Sequence, residues 1–133
     1  MAVKQAIAAL LAAGLVATPA LAKERLTEEQ KLDKHLEGRV AGAPVDCISL
    51  SSINDTRVFD GTAVVYRVGS TLYVNRPDNG ARALRDRDIM VFKTSTNRLC
   101  SIDVLEMRDQ SGFYSGSVFL GEFVPYTKDE EQS

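Results

Sequence analysis

From Asp46 to Pro125 the chain is a succession of short runs of β-branched and aromatic residues, each closed by turn formers before it reaches helical length. Cys47–Leu50, Arg57–Phe59, Thr62–Val68, Thr71–Val74, Ile89–Lys93, Leu99–Met107, Val118–Leu120 and Phe123–Val124 are the runs. Gly69-Ser70, Asn79-Gly80, the stretch Thr94 to Asn97, and Ser111-Gly112 are among the breaks. A chain punctuated this often has no room for βαβ crossovers. It predicts a mainly β fold with a short N-terminal helix ahead of it, its six or seven strands curled into a small antiparallel barrel or sandwich.

The clearest local signal is the pair Thr62–Val68 and Thr71–Val74, separated by Gly69-Ser70 alone, a two-residue hairpin with glycine first as a primed turn requires. That register sets Tyr66 opposite Tyr73 on one face and Val65 opposite Val74 on the other. One face then enters the core, and the tyrosine pair covers a partly wet surface or a pocket wall.

Upstream, Thr27 is followed three residues later by Gln30, the capping-box spacing, and Leu32, Leu36 and Val40 recur along one narrow stripe. A short amphipathic helix from Glu28 to Glu37, ended by Gly38, is expected, with Gly38 to Pro44 as a linker. His35 reads as a solvent-facing or helix-end histidine. The first 22 residues differ in kind: 17 are apolar, against 42 of the following 111, about 38%. Met1–Lys4 gives a positive start, Ala6–Val16 an Ala/Leu-rich run, and Thr18-Pro19-Ala20-Leu21-Ala22 a small-residue end. Those parts in that order predict a secretory signal peptide cleaved after Ala22. The expected organisation is therefore a signal peptide at 1–22, helix and linker at 23–45, a β-domain at 46–127 and a frayed tail at 128–133. The mature chain would be periplasmic or secreted, monomeric, and without a transmembrane anchor.

Export places Cys47 and Cys100, the two cysteines of the chain, where disulfides persist. One intramolecular bridge is the expectation, with free thiols or an intermolecular bridge as alternatives. The charge balance of 16 Lys and Arg against 18 Asp and Glu argues against a nucleic-acid binder held by phosphate neutralisation.

Several chemistries lack their residues. A Ser-His-Asp arrangement would have to use His35, the one histidine, from a peripheral helix. Zinc would need more ligands than two cysteines and one histidine offer, and neither an EF-hand nor a phosphate loop is present. No catalytic residue, metal ligand or cofactor is assigned. Paired carboxylates drawn from Asp55, Asp60, Asp86, Asp88, Asp103 and Glu106 could meet across strands, but spacing selects none of them. The most suggestive polar set is Arg76, Arg82, Arg85 and Arg87 close to the tyrosine hairpin. Guanidinium forks and tyrosine faces can together hold an anionic or sugar-like ligand or an acidic partner. Asp78, Asp86 and Asp88 are interleaved with them, and local ion pairing on a solvated loop would account for the same residues.

The patches Cys47-Ile48-Ser49-Leu50, Val65-Tyr66-Arg67-Val68, Tyr73-Val74-Asn75-Arg76, Leu99-Cys100, Ser111-Gly112-Phe113 and Gly121-Glu122-Phe123-Val124-Pro125-Tyr126 resemble a family of small exported proteins of Gram-negative bacteria, seen especially in alpha- and gammaproteobacteria. That family is catalogued as a domain of unknown function. The resemblance spans Lys31 to Lys128. Members often carry a second cysteine pair, and the corresponding positions here are Ala81 and Val118, so the resemblance implies that one of two bridges has been lost. It implies no catalytic residue and no cofactor.

The leading expectation is an exported, non-enzymatic binding or structural β-module of the cell envelope, contacting an envelope protein or polymer through Tyr66, Tyr73, Arg76, Arg82 and Arg85. The alternatives are a small envelope-polysaccharide hydrolase or lyase working with a carboxylate pair, and an inhibitor of a secreted enzyme that inserts the Pro77 to Asp88 loop.

Overall fold

In the computed structural model, residues 25–129 are described. The expected signal peptide and the last four residues of the expected tail lie outside them. The chain is mainly β, with one helix, α1 (Glu28–His35), and ten strands among the described residues. The strands are β1 (Arg39–Ala41), β2 (Cys47–Ser49), β3 (Asp55–Phe59), β4 (Ala63–Val68), β5 (Thr71–Asn75), β6 (Ile89–Phe92), β7 (Arg98–Cys100), β8 (Val104–Arg108), β9 (Tyr114–Phe119) and β10 (Phe123–Lys128). All strand pairs are antiparallel. A five-stranded sheet runs β1-β10-β5-β4-β3, a ribbon joins β2 to β7, and a three-stranded sheet runs β6-β8-β9.

The five-stranded sheet is the middle of three layers. Ala63 and Val65 of β4 and Leu72 and Val74 of β5 point to one side, where they bury against Leu32 and Leu36 of α1 and Phe59 of β3. Val64 and Tyr66 point to the other, packing with Phe123, with Ile48 and Leu99 of the ribbon, and with Leu105, Met107 and Val118 of the three-stranded sheet. The strict alternation along β4 is the period-two consequence of the pleat. Here both faces of the strand are buried, so all four of its first residues are apolar or aromatic.

Local chemistry explains the elements. Thr27 caps α1: its hydroxyl accepts from the Gln30 N–H at 3.1 Å while the Gln30 side chain accepts from the Thr27 N–H at 2.9 Å. The β4–β5 hairpin has the expected register, Tyr66 opposite Tyr73 and Val65 opposite Val74, with Gly69 at φ 62° in the turn. Asn75, a buried polar side chain, is satisfied on both of its amide groups by Gly121, donating to its carbonyl at 2.7 Å and accepting from its N–H at 2.9 Å.

The strand count exceeds six or seven for identifiable reasons. Part of the expected Gly38 to Pro44 linker forms β1, whose Arg39, Val40 and Ala41 pair with Lys128, Thr127 and Tyr126. The same pairing draws Lys128 out of the expected frayed tail, and the Asp129 N–H donates to the Gly38 carbonyl. The run Leu99–Met107 divides into β7 and β8. The Asp103 carboxylate accepts from the Cys100 N–H at 2.7 Å and turns the chain there. β10 continues through Pro125. The Phe123 N–H and carbonyl face Val45, and the Pro125 carbonyl accepts from Gly42, so by alternation the missing proline N–H faces the Gly42–Pro44 loop rather than the β5 ladder.

Candidate functional site

The two tyrosines share a face, but it is the face turned into the β layers. Tyr66 is completely buried, its ring 5.9 Å from that of Phe123 and its hydroxyl donating to the Met90 sulfur at 3.8 Å. Burial pushes its phenol well above the usual tyrosine range, so it stays neutral. Tyr73, opposite it, is half-buried against the same core. Tyr66 is therefore a core residue and not a contact residue. Tyr66 meets no solvent because α1 covers one side of the sheet and two further sheets cover the other, so that both sides of β4 are buried from Ala63 to Tyr66.

The arginines are divided between the two sides of the molecule. Arg76 follows Val74 on the helix side and forms a two-pronged pair with Glu29 of α1, at 2.6 and 3.1 Å. The guanidinium holds the Glu29 carboxyl below its ordinary range and is itself held further protonated by it. Both side chains are half-exposed, which limits the pair to a fraction of a kcal/mol, about 0.2–1.

Arg82 and Arg85 do come together, in a cleft of 360 Å³ that Asp88, Ser115, Gly116 and Ser117 also line. The loop that carries them is fixed to the body of the protein. Leu84 is fully buried, its carbonyl accepts from Gly61, and the Asp86 N–H donates to Asp60 at 2.7 Å. At the loop's start Asp78 and Asn79 pair with Phe119 along the outer edge of β9. Gly80 then turns the chain at φ 79°, so close to the Ser117 carbonyl that any Cβ would collide with it. Among the described residues neither Arg82 nor Arg85 makes an ion pair. Within the cleft the Asp88 carboxylate accepts from the Ser115 hydroxyl at 3.2 Å. The sequence reading grouped Arg82 and Arg85 with Tyr66, Tyr73 and Arg76; their actual neighbours are Ser115 and Ser117, 30 residues further along, and no local pattern announces that.

Three carboxylates meet in one cleft. Glu28, Asp60 and Asp86 line a small cleft of 190 Å³ together with Lys31 and Arg57. Their oxygens already hold the fold. Glu28 accepts from the Asp60 N–H at 3.1 Å and from Lys31 at 2.8 Å, and Asp60 accepts from the Asp86 N–H. Glu28 was outside the acids considered from spacing, because only the docking of α1 on the β3–β4 turn brings it there. Of the remaining acids, Asp103 caps the Cys100 turn, and Glu106 pairs with Lys93 at 2.6 Å and with Arg108. Lys93 and Arg108 hold Glu106 below the usual carboxylate range. No group of three or more histidine, cysteine or acidic side chains is placed to hold a metal ion among the described residues. No helix among them is long and apolar enough to cross a membrane.

Cys47 and Cys100 lie directly opposite each other on β2 and β7 and are joined by a disulfide. The bridge closes across a sequence separation of 53 and ties the ribbon on which Ile48 and Leu99 enter the core. Comparison of the chain with family models, with curated proteins and with solved structures finds no match.

Proposed function

We propose that this chain is an exported protein of the cell envelope, acting after signal cleavage as a non-enzymatic binding module, periplasmic or secreted, in the family of small exported proteins whose sequence patches it carries. The observation that supports binding is the Arg82–Arg85 cleft. Two guanidinium groups that make no ion pair stand beside Ser115, Ser117 and the Asp88 carboxylate, on a loop whose backbone is pinned by Leu84 and Gly80. A rigid frame with charged forks and hydroxyl groups suits recognition of an anionic group on an envelope polymer or protein. Export is supported by the disulfide, which persists in an oxidising compartment. The family reading gains from the position of the loop: a Cβ on Gly80, next to Ala81, would lie 3.3 Å from the Val118 backbone. A cysteine pair at 81 and 118 would join these same two segments.

The hydrolase or lyase reading draws on the Glu28, Asp60 and Asp86 cleft. It is the weaker of the two, because Glu28 and Asp60 already accept hydrogen bonds from backbone N–H groups. Native mass spectrometry of the mature protein purified from its own host tests the binding reading. A retained adduct on the wild type that disappears from an Arg82→Ala/Arg85→Ala variant supports it. An adduct on neither protein, or the same adduct on both, overturns it.

A further inference from the structure

The charges of α1 are sorted across the helix. Leu32 and Leu36 mark its inner stripe. At 100° per residue Glu29, Asp33 and Glu37 fall on the flank facing β5 and β10, where Glu29 meets Arg76, while Lys31 and His35 fall with Glu28 on the opposite flank, toward β3, and Lys34 lies on the outer face between the two. β3 is an edge strand of the five-stranded sheet. Its Arg57, on the helix side opposite Val65, lies over the Phe59 ring with its guanidinium carbon 5.1 Å from the centroid. Between the flank of Lys31 and His35 and this edge is a cleft of 480 Å³ lined by Leu26, Lys31, Lys34, His35 and Arg57.

Compensation of these charges is sparse. Lys31 is paired with Glu28, but among the described residues Lys34 and Arg57 make no ion pair. Besides Arg57, the groups whose charge reaches the His35 ring are Asp55 of β3, Arg39 of β1 and Arg67 of β4, two further cations and one acid. Arg39 is engaged with the Ser70 and Tyr126 carbonyls, which leave its charge uncancelled. The imidazole itself sits tilted against Phe59 at 5.6 Å, and burial followed by these cations holds it below its ordinary pKa. The cleft is thus a concave, positively charged pocket with one apolar wall at Leu26, on a protein whose net charge is −2.

We infer that the cleft between α1 and β3 is an anion site for a phosphate or diphosphate group, gripped by Lys34 and Arg57 with Lys31 and His35 at its sides. Lys34 and Arg57, which make no ion pair, and Lys31, paired with Glu28, together suit a multiply charged oxyanion, since Arg57 can present its fork to two oxygens while the lysines act as point charges. The volume admits more than a lone monovalent ion, and Leu26 gives an apolar surface for whatever carries the phosphate. This site is independent of the Arg82–Arg85 cleft, which shares no lining residue with it.

Two probes distinguish a free phosphate from a headgroup: inorganic pyrophosphate followed by calorimetry, and phosphatidylcholine vesicles carrying phosphatidic acid followed by sedimentation. The only histidine of the chain is a resonance at the site itself. Pyrophosphate binding that shifts the His35 ring signals and raises its pKa, and that weakens at least tenfold in Lys34→Ala/Arg57→Ala, supports the site with a free ligand. Vesicle binding with the same dependence on Lys34 and Arg57 supports it with a membrane-borne one. The His35 signals read this cleft and the adduct test reads the Arg82–Arg85 cleft, which shares no lining residue with it, so failure of this site and failure of the proposed function are read separately. Absence of binding to both probes, binding that leaves the His35 signals unmoved, or binding that survives in a folded Lys34→Ala/Arg57→Ala variant overturns the inference.

Discussion

The two faces of the central sheet are buried by different means. On the β side, ten buried residues from six strands and the Leu84 and Leu120 loops interlock, with Tyr66 and Phe123 at the centre and a disulfide across the β2–β7 ribbon. On the α1 side, a helix of eight residues contributes Leu32, extended by its cap residue Leu36. What fixes that helix otherwise is polar and mostly exposed: the Thr27 cap, the Glu28 bond to the Asp60 N–H, and the Glu29–Arg76 pair. An isolated helix of this length does not hold in water, so α1 exists by virtue of its docking. The β side is therefore the cooperative body of the protein, and the α1 side is the part able to open locally at lower free energy.

The largest expected effect comes from breaking the β side at its staple. Replacing both cysteines, Cys47→Ser with Cys100→Ser, frees a loop of 53 residues' separation and is expected to lower stability by about 4 kcal/mol in the chain-entropy account. Urea unfolding followed by tyrosine fluorescence checks this. Both faces should lose protection together, because the sheet they share depends on the β-side core. A loss confined to the ribbon, with the midpoint unmoved, would contradict the view of the β side as one cooperative body.

How far the sequence discloses this asymmetry depends on the range of each interaction. The β4–β5 hairpin and its register are legible because a two-residue turn fixes them locally, and the Thr27 cap because its partner is three residues away. The cysteine pairing needs only a count. β1 is illegible: three residues, Arg39–Ala41, mostly exposed, become a strand because β10 offers an edge 85 to 89 positions downstream. Tyr66 gives the same lesson at the candidate site. Alternation correctly assigns it to a face, but whether that face is wet depends on the three-stranded sheet, which packs on it from far along the chain. Arg76 looks available until Glu29, 47 residues earlier, is placed beside it. The helix wheel that sorts Lys31 and His35 from Glu29, Asp33 and Glu37 was present in the sequence. Its meaning required Arg57 across the cleft.

Next in size is the α1 side's own anchor. Leu32 is completely buried, and Leu32→Ala should cost about 3 kcal/mol, within the range for a large-to-small change in a packed site. Hydrogen exchange distinguishes the two faces here. The α1 amides and the Asp60 amide should exchange faster, while the β8 and β9 amides keep most of their protection. Equal loss across both faces would mean that α1 belongs to the cooperative body after all.

A smaller change acts on the helix without touching its packing. Thr27→Ala removes the acceptor for the Gln30 N–H and leaves the reciprocal bond without its partner, an expected loss of about 1 kcal/mol. Thr27→Ser, which keeps the hydroxyl, should recover most of it. Comparing the two variants by thermal melting isolates the cap from any effect of side-chain size.

The smallest expected effect sharpens the contrast through pH. His35 is held below its ordinary value, first by burial and then by Arg57, Arg39 and Arg67, so below about pH 6.5 the unfolded chain binds more protons at this residue than the folded one. Its contribution to stability is therefore complete above that pH and diminishes as the pH falls through the lower folded value. On the β side the corresponding buried group, Tyr66, titrates only at strongly alkaline pH and contributes nothing in this window. Between pH 6.5 and the onset of carboxylate protonation, acidification should accordingly loosen α1 while sparing the β-side core. The α1 amides should gain exchange rate, after correction for intrinsic chemistry, as the β8 amides stay level. In His35→Gln, whose side chain carries no titrating proton, the α1 amides should lose that pH dependence. Persistence of the same slope in this variant would assign the effect to a different group, and a parallel slope in β8 would show that the two faces open as one.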